Sequence, residues 1–158
     1  MATEPLSIYL NDHVAGATAG VNLVRKIAEE NQGTQLGTVM SELAAEIEAD
    51  RRTLESLIER FGFAKSSLKE AAGWVAERVT RLKFVEPVAG TRELKLLLEL
   101  ETLSLGIEGK AGMWWSLRFR DHPAIAEVGL DELIKRAEEQ RATVERYRLE
   151  AASLAFAS

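Results

Sequence analysis

Apolar side chains recur at three- and four-residue steps along almost the whole chain, the period of a helix with one buried face, and no segment alternates convincingly as a strand does. A first helix is expected over 6–31, with Leu6, Leu10, His13, Ala17, Gly20/Val21, Val24 and Ile27/Ala28 on its inner stripe. Pro5 suits a first-turn position, and Asn31-Gln32-Gly33 is a stop signal because glycine takes the left-handed conformation at little cost. The middle of this helix is small-sided, with Gly16, Ala17, Ala19 and Gly20, which lets a neighbouring backbone approach and also weakens the helix itself. A second helix is expected over 34–61, ending before Gly62. Its stripe of Leu36, Met40, Leu43, Ile47, Leu54, Leu57 and Phe61 is interrupted by Asp50. The short turn between the two makes them antiparallel neighbours.

Ser67-Leu68-Lys69-Glu70 has the spacing of a capping box and opens a third, shorter helix carrying Leu68, Ala72, Val75, Val79 and Leu82. Glu86-Pro87-Val88-Ala89-Gly90 breaks the chain before a fourth helix over 91–119. That helix has two apolar stripes: Leu96, Leu100, Leu103, Ile107 and Trp114 on one, Leu94, Leu97, Leu105, Trp115 and Phe119 on the other. Two apolar faces imply a central helix or one covered by a second subunit. Trp115 is assigned to core packing, Trp114 to the core or a subunit contact, and Trp74 to packing within the third helix. Proline 123 ends the fourth helix, and Asp131 is a suitable N-cap for a last helix towards Ala155, whose inner side carries Leu133, Ala137, Gln140, Val144, Tyr147, Ala151 and Leu154. The fold class is therefore all-α: an antiparallel four-helix bundle with one additional shorter helix, in a single domain spanning 1–158.

Composition narrows the function classes. The 158 residues are 46% hydrophobic and 28% charged, as in a globular domain, with a formal net charge of −5 that argues against general nucleic-acid or anionic-membrane binding. There is no cysteine, which removes disulfides, thiolate metal sites and cysteine nucleophiles. The first residues lack the basic and apolar regions of a signal peptide, and no stretch approaches the roughly 18 apolar residues of a membrane span, so a cytoplasmic protein is expected. No phosphate-loop spacing surrounds Gly106 or Gly109, and no Ser or Thr has a His and an acid at a recognisable catalytic spacing.

Candidate chemistry lies in four titratable groups that fall within apolar stripes: His13, Asp50, Glu101 and Glu108. Polar groups withdrawn from water need partners, and here these are either metal ions or arginines. Counting from the chain breaks matches Glu108 with Arg141, 13 residues before Asp121 and 10 after Asp131, and Glu101 with Arg148, at 20 and 17. His13 lies 18 residues before Asn31 and Asp50 16 after Thr34, which sets them as a third pair. In this reading, the favoured one, His13, Asp50, Glu101, Glu108, Arg141 and Arg148 form salt-linked polar pairs in the core, bidentate where arginine meets carboxylate.

Leu43-Ala44-Ala45-Glu46-Ile47-Glu48-Ala49-Asp50 and Leu98-Glu99-Leu100-Glu101, with Glu108 beyond, carry a different implication. In outline the chain resembles the ferritin-like superfamily, especially its small bacterial members with an extra helix. That resemblance implies a dinuclear iron or manganese centre held by a Glu from each of two helices and a Glu-x-x-His pair from each of the others. This chain has no Glu-x-x-His: Leu10 precedes His13 at that spacing and Phe119 precedes His122, while Ile47/Asp50 and Ala137/Gln140 stand where such pairs belong. What is left is a reduced site of His13, Asp50, Glu101 and Glu108. The expected function is accordingly a non-catalytic ferritin-like bundle without cofactor, acting as a homo-oligomer (a dimer being the simplest) or as a partner-binding protein. The alternative is an iron- or manganese-binding oxidoreductase or storage-type bundle using those four residues. The small side chains of the first helix also leave room for a small apolar ligand, which nothing in the sequence names.

Overall fold

A computed structural model describes residues 4–66 and 91–157; the helix expected over 67–82, with Trp74, lies outside them. Five helices and no strand occur among the described residues: α1 (Pro5–Glu30), α2 (Gln35–Arg60), α3 (Thr91–Leu117), α4 (Pro123–Val128) and α5 (Leu130–Ala155). None of them is long and apolar enough to cross a membrane.

The turn between α1 and α2 is fixed by three residues. Gly33 takes φ 84°, the Thr34 hydroxyl accepts the Gly37 amide at 3.1 Å, and Gly37 packs so tightly that an added Cβ would meet the Asn31 carbonyl oxygen. Gly62, at φ 72°, follows the end of α2. The link expected to be a loop between the last two long helices contains α4. His122 caps it, its Nδ1 accepting the Ala124 amide at 3.1 Å, and Pro123 occupies the first turn. α3 ends at Leu117, two residues short of the expected 119, so Pro123 starts the short helix and does not stop α3. Gly129, at φ 75°, joins α4 to α5, so α5 begins one residue before Asp131.

α1 packs along α2 and α3 along α5; α1 also touches α3, and α2 touches α5 and α4. Lys26 reaches Glu99 and Lys95 lies 3.2 Å from Glu30 at one end, while Tyr9 donates to Ser116 at the other, so α1 and α3 run antiparallel. Gln140 bonds Glu46 and Arg136 pairs with Asp50, so α2 and α5 are antiparallel as well. Every neighbouring pair of long helices is antiparallel, whereas α2 and α3 run the same way. The end of α2 and the start of α3 therefore lie at opposite ends of a bundle about 40 Å long.

The core is two apolar clusters. One is built on Val24, Met40, Ile47, Leu100, Ile107 and Val144; the other on Leu10, Leu54, Leu57, Met113, Trp114 and Ile134. Each such side chain contributes roughly 1.5–3 kcal/mol on burial. Between the clusters, α1 offers the small residues 15–20, and the other three long helices offer polar groups.

Candidate functional site: a charged layer in the core

Asp50, only 2% exposed, is the centre of that layer. Lys110 of α3 donates to its Oδ2 at 2.6 Å, Gln140 of α5 donates to the same oxygen at 3.2 Å, and Arg136 of α5 donates to Oδ1. The Gln140 amide is used at both ends, since its oxygen accepts from Lys110 and its nitrogen also donates to Glu46 at 3.0 Å. Two acids, two cations and an amide thus form one charge-balanced network across α2, α3 and α5. Burial pushes the Lys110 ammonium below the usual lysine range, and the Asp50 charge beside it acts in the opposite direction. Lys110 continues the run Leu100, Leu103, Ile107, with Trp114 one turn further on, so helical spacing alone sets its side chain between the two apolar clusters.

His13 is not the partner of Asp50. The Arg51 guanidinium reaches the Thr18 hydroxyl at 3.3 Å, which puts Asp50 nearer the level of Ala19 than of His13, roughly 9 Å away along the axis. His13 instead meets the Tyr9 ring edge-on at 4.7 Å between centroids, and burial lowers its pKa below the usual histidine value, with Asp12 opposing.

The two expected Glu–Arg pairs are in contact but not in the core. Arg141 Nε lies 3.2 Å from Glu108, and Arg148 Nη1 3.6 Å from Glu101, on the solvent side of the α3–α5 seam, where the Glu108 side chain is 62% exposed. Counting residues gives height along a helix and says nothing about which side of the seam a pair takes. Arg148 also holds Glu145 at 2.9 Å; this and the Ser104 hydroxyl at 2.8 Å keep the Glu145 carboxyl below its usual range. The buried acid of α3 is Glu99, bound by Lys26 with Lys95 at 3.8 Å. Burial alone would lower the Lys26 pKa, yet its bond to Glu99 and the charges of Glu99 and Glu30 leave it raised.

No family model, curated protein or solved structure matches this chain. Among the described residues, no three His, Asp or Glu side chains converge as a metal ion would require. Asp50 is held by Lys110 and Arg136, whose N–H groups occupy its oxygens, while Glu108 and Glu101 lie against Arg141 and Arg148 on the solvent side of the α3–α5 seam. This carboxylate is bonded to side chains of two other helices, so it links α2 to α3 and α5. An open groove of about 830 Å³ runs between α2 and α5, with Leu43 and Leu133 beside Glu46, Arg136 and Gln140, so its floor is the outer side of the same network.

The second notable surface is the outer face of α3. On α3, Leu105 is 60% exposed and Trp115 50%, with Gly109 and Gly112 between them, and Phe119, in the turn that follows the helix, is 94% exposed. Of the two adjacent tryptophans, Trp114 is fully buried, one of the two places expected for it, whereas Trp115, expected in the core, lies outside beneath the Arg118 guanidinium, 4.6 Å from its ring centroid. On a helix apolar on both sides, periodicity does not say which stripe turns inward.

Proposed function

We propose that this chain is a non-catalytic helical bundle of ferritin-like topology that acts by binding protein, through the outer face of α3. The observation that carries the reading is the set of large apolar side chains left in water on that face and in the turn after it, Leu105, Trp115 and Phe119. Large apolar side chains left exposed along one stretch of surface point to an interaction site, and aromatic residues are enriched in such interfaces. Two features support the topological part: four long helices with α2 and α3 parallel, and a single long connection between them, as in ferritin-like bundles. The non-catalytic part is supported by the saturation of Asp50, whose oxygens are occupied by Lys110, Arg136 and Gln140. A reducing compartment such as the cytoplasm is the proposed setting, in keeping with a chain without cysteine.

The test compares wild type with Phe119→Glu by size-exclusion chromatography with light scattering and by affinity capture from the source cells. The reading requires that wild type self-associates or retains a partner, and that Phe119→Glu abolishes this with no loss of helicity. A strictly monomeric wild type that retains nothing would refute it.

A further inference from the structure

We infer that the groove between α2 and α5 receives a basic amphipathic helix of a partner protein. The inference stands on observations separate from those at the α3 face. Of the seams between neighbouring long helices, the α2–α5 seam is the least closely packed, and long polar side chains bridge it: Gln140 reaches Glu46, and Arg136 reaches Asp50. Both contacts keep one register, so the two helices line the groove side by side, from Val39 and Arg146 at one end to Thr53 and Leu133 at the other. Residues 39–53 of α2 rise about 21 Å, or about four helical turns.

Size and backbone chemistry select the form of the occupant. Spread over that length, the 830 Å³ of the groove gives a cross-section of about 40 Å², against about 80 Å² for a helix 10 Å across. A helix therefore enters by one face and leaves the other in water. Both walls are helices whose backbone groups bond within themselves, so an extended peptide finds no strand edge to pair with, whereas a helix satisfies its own amides. At the base, Leu43 and Leu133 are buried and Val39 and Val128 half-buried, an apolar line against which one helical stripe can lie.

Charge selects its sign. The α2 wall carries Glu42 and Glu46 and no cation. On the α5 wall each cation is already engaged within the chain: Arg136 by Asp50, Lys135 by Glu139 at 4.0 Å, and Arg146 over the Tyr147 ring, 4.9 Å from its centroid. Glu46 meets the neutral Gln140 amide, and neither Glu42 nor Glu132 meets a cation among the described residues. Three exposed carboxylates thus rim the groove without a countercharge. Glu42 and Glu46 stand one turn apart, so Lys or Arg side chains four residues apart on the incoming helix match them, and the complementary sign steers its approach.

A fluorescent probe peptide of about 16 residues, with leucine at three- and four-residue steps and lysine elsewhere, is titrated with the full-length chain and followed by anisotropy. A peptide of the same pattern with glutamate in place of lysine is the control. Wild type is expected to bind the lysine probe saturably and not the glutamate one. Glu42→Lys/Glu46→Lys should weaken binding about tenfold, whereas Glu138→Lys/Glu150→Lys, an equal charge change on α5 outside the groove, should shift it by less than about threefold. Thr143→Trp fills the groove without changing charge and should also weaken binding about tenfold, with helicity by circular dichroism unchanged. No saturable binding by wild type, equal losses in the two charge-reversed variants, equal binding of both probes, or a Thr143→Trp chain that binds as wild type does overturns the proposal. A wild-type dimer in sedimentation that Thr143→Trp dissociates would place a second copy in the groove and overturn it too.

Discussion

Replacing Asp50 by alanine removes the one carboxylate on which Lys110, Arg136 and Gln140 converge. The consequences differ among the three. Arg136, whose side chain is partly exposed, can turn towards solvent in the α2–α5 groove, and Gln140 keeps Glu46. Lys110 has no such exit: its side chain is 12% exposed, and its remaining partner is the Gln140 oxygen. Leaving a buried charge without its partner costs about 3–5 kcal/mol, and Asp50→Ala should fall in that range. Lys110→Met should cost less, about 1–3 kcal/mol, because Asp50 retains Arg136 and Gln140. The double variant Asp50→Leu/Lys110→Met exchanges the pair for apolar volume and should recover most of the loss, since a buried ion pair adds little over well-packed apolar side chains. Urea unfolding followed by circular dichroism measures all three, with the midpoint converted through the slope. If Asp50→Ala lay within about 1 kcal/mol of the parent, or the double variant were as unstable as Asp50→Ala alone, the network would not be what orders this layer.

Three further outcomes are expected. Trp114→Ala should cost about 3–5 kcal/mol as a buried aromatic truncation, and Trp115→Ala about 0.5 kcal/mol in the dissociated chain; equal effects in thermal melts would contradict their assigned environments. Burial holds the His13 pKa below 6.5, so the native state binds fewer protons there than the unfolded chain; its contribution to stability is complete above pH 6.5 and is lost as pH falls through the folded value. His13→Gln should therefore flatten the stability profile on the acid side of 6.5, and a His13 ring signal titrating above that value by NMR would refute the assignment. Gly37→Ala places a methyl against the Asn31 carbonyl and should destabilise by about 1–3 kcal/mol in urea unfolding; a neutral result would mean that the α1–α2 turn yields freely.

The long helices are legible because their apolar period persists for seven turns or so, and the first two end at glycines whose positive φ the structure uses, Gly33 and Gly62. Pairing across the α3–α5 seam is legible too: counting from the ends brings Glu108 to Arg141 and Glu101 to Arg148, and those contacts occur. Burial of these pairs is not, because a count fixes height and leaves the angle around the helix open. Asp50 is recognisable as an inward acid, yet its partner is not His13. The missed signal is Lys110, which fills the gap between Ile107 and Trp114 in an otherwise apolar stripe. Glu99 was obscured because α3 is apolar on both sides, so no single stripe marks an inward carboxylate. α4 was hidden by length: six residues are too few for a period, and Pro123 reads equally as a stop or a start.

The claim on which the account depends is that the core carboxylate is neutralised by side-chain cations and not by bound metal. It is tested most directly by loading wild type, Asp50→Ala and Glu101→Ala with ferrous iron and with manganese, removing free ion by gel filtration, and counting metal by mass spectrometry. The expected result is no stoichiometric retention by any of the three. Retention of about one or two ions per chain by wild type, lost in Asp50→Ala or Glu101→Ala, would contradict it and restore a di-metal centre of the kind such bundles hold.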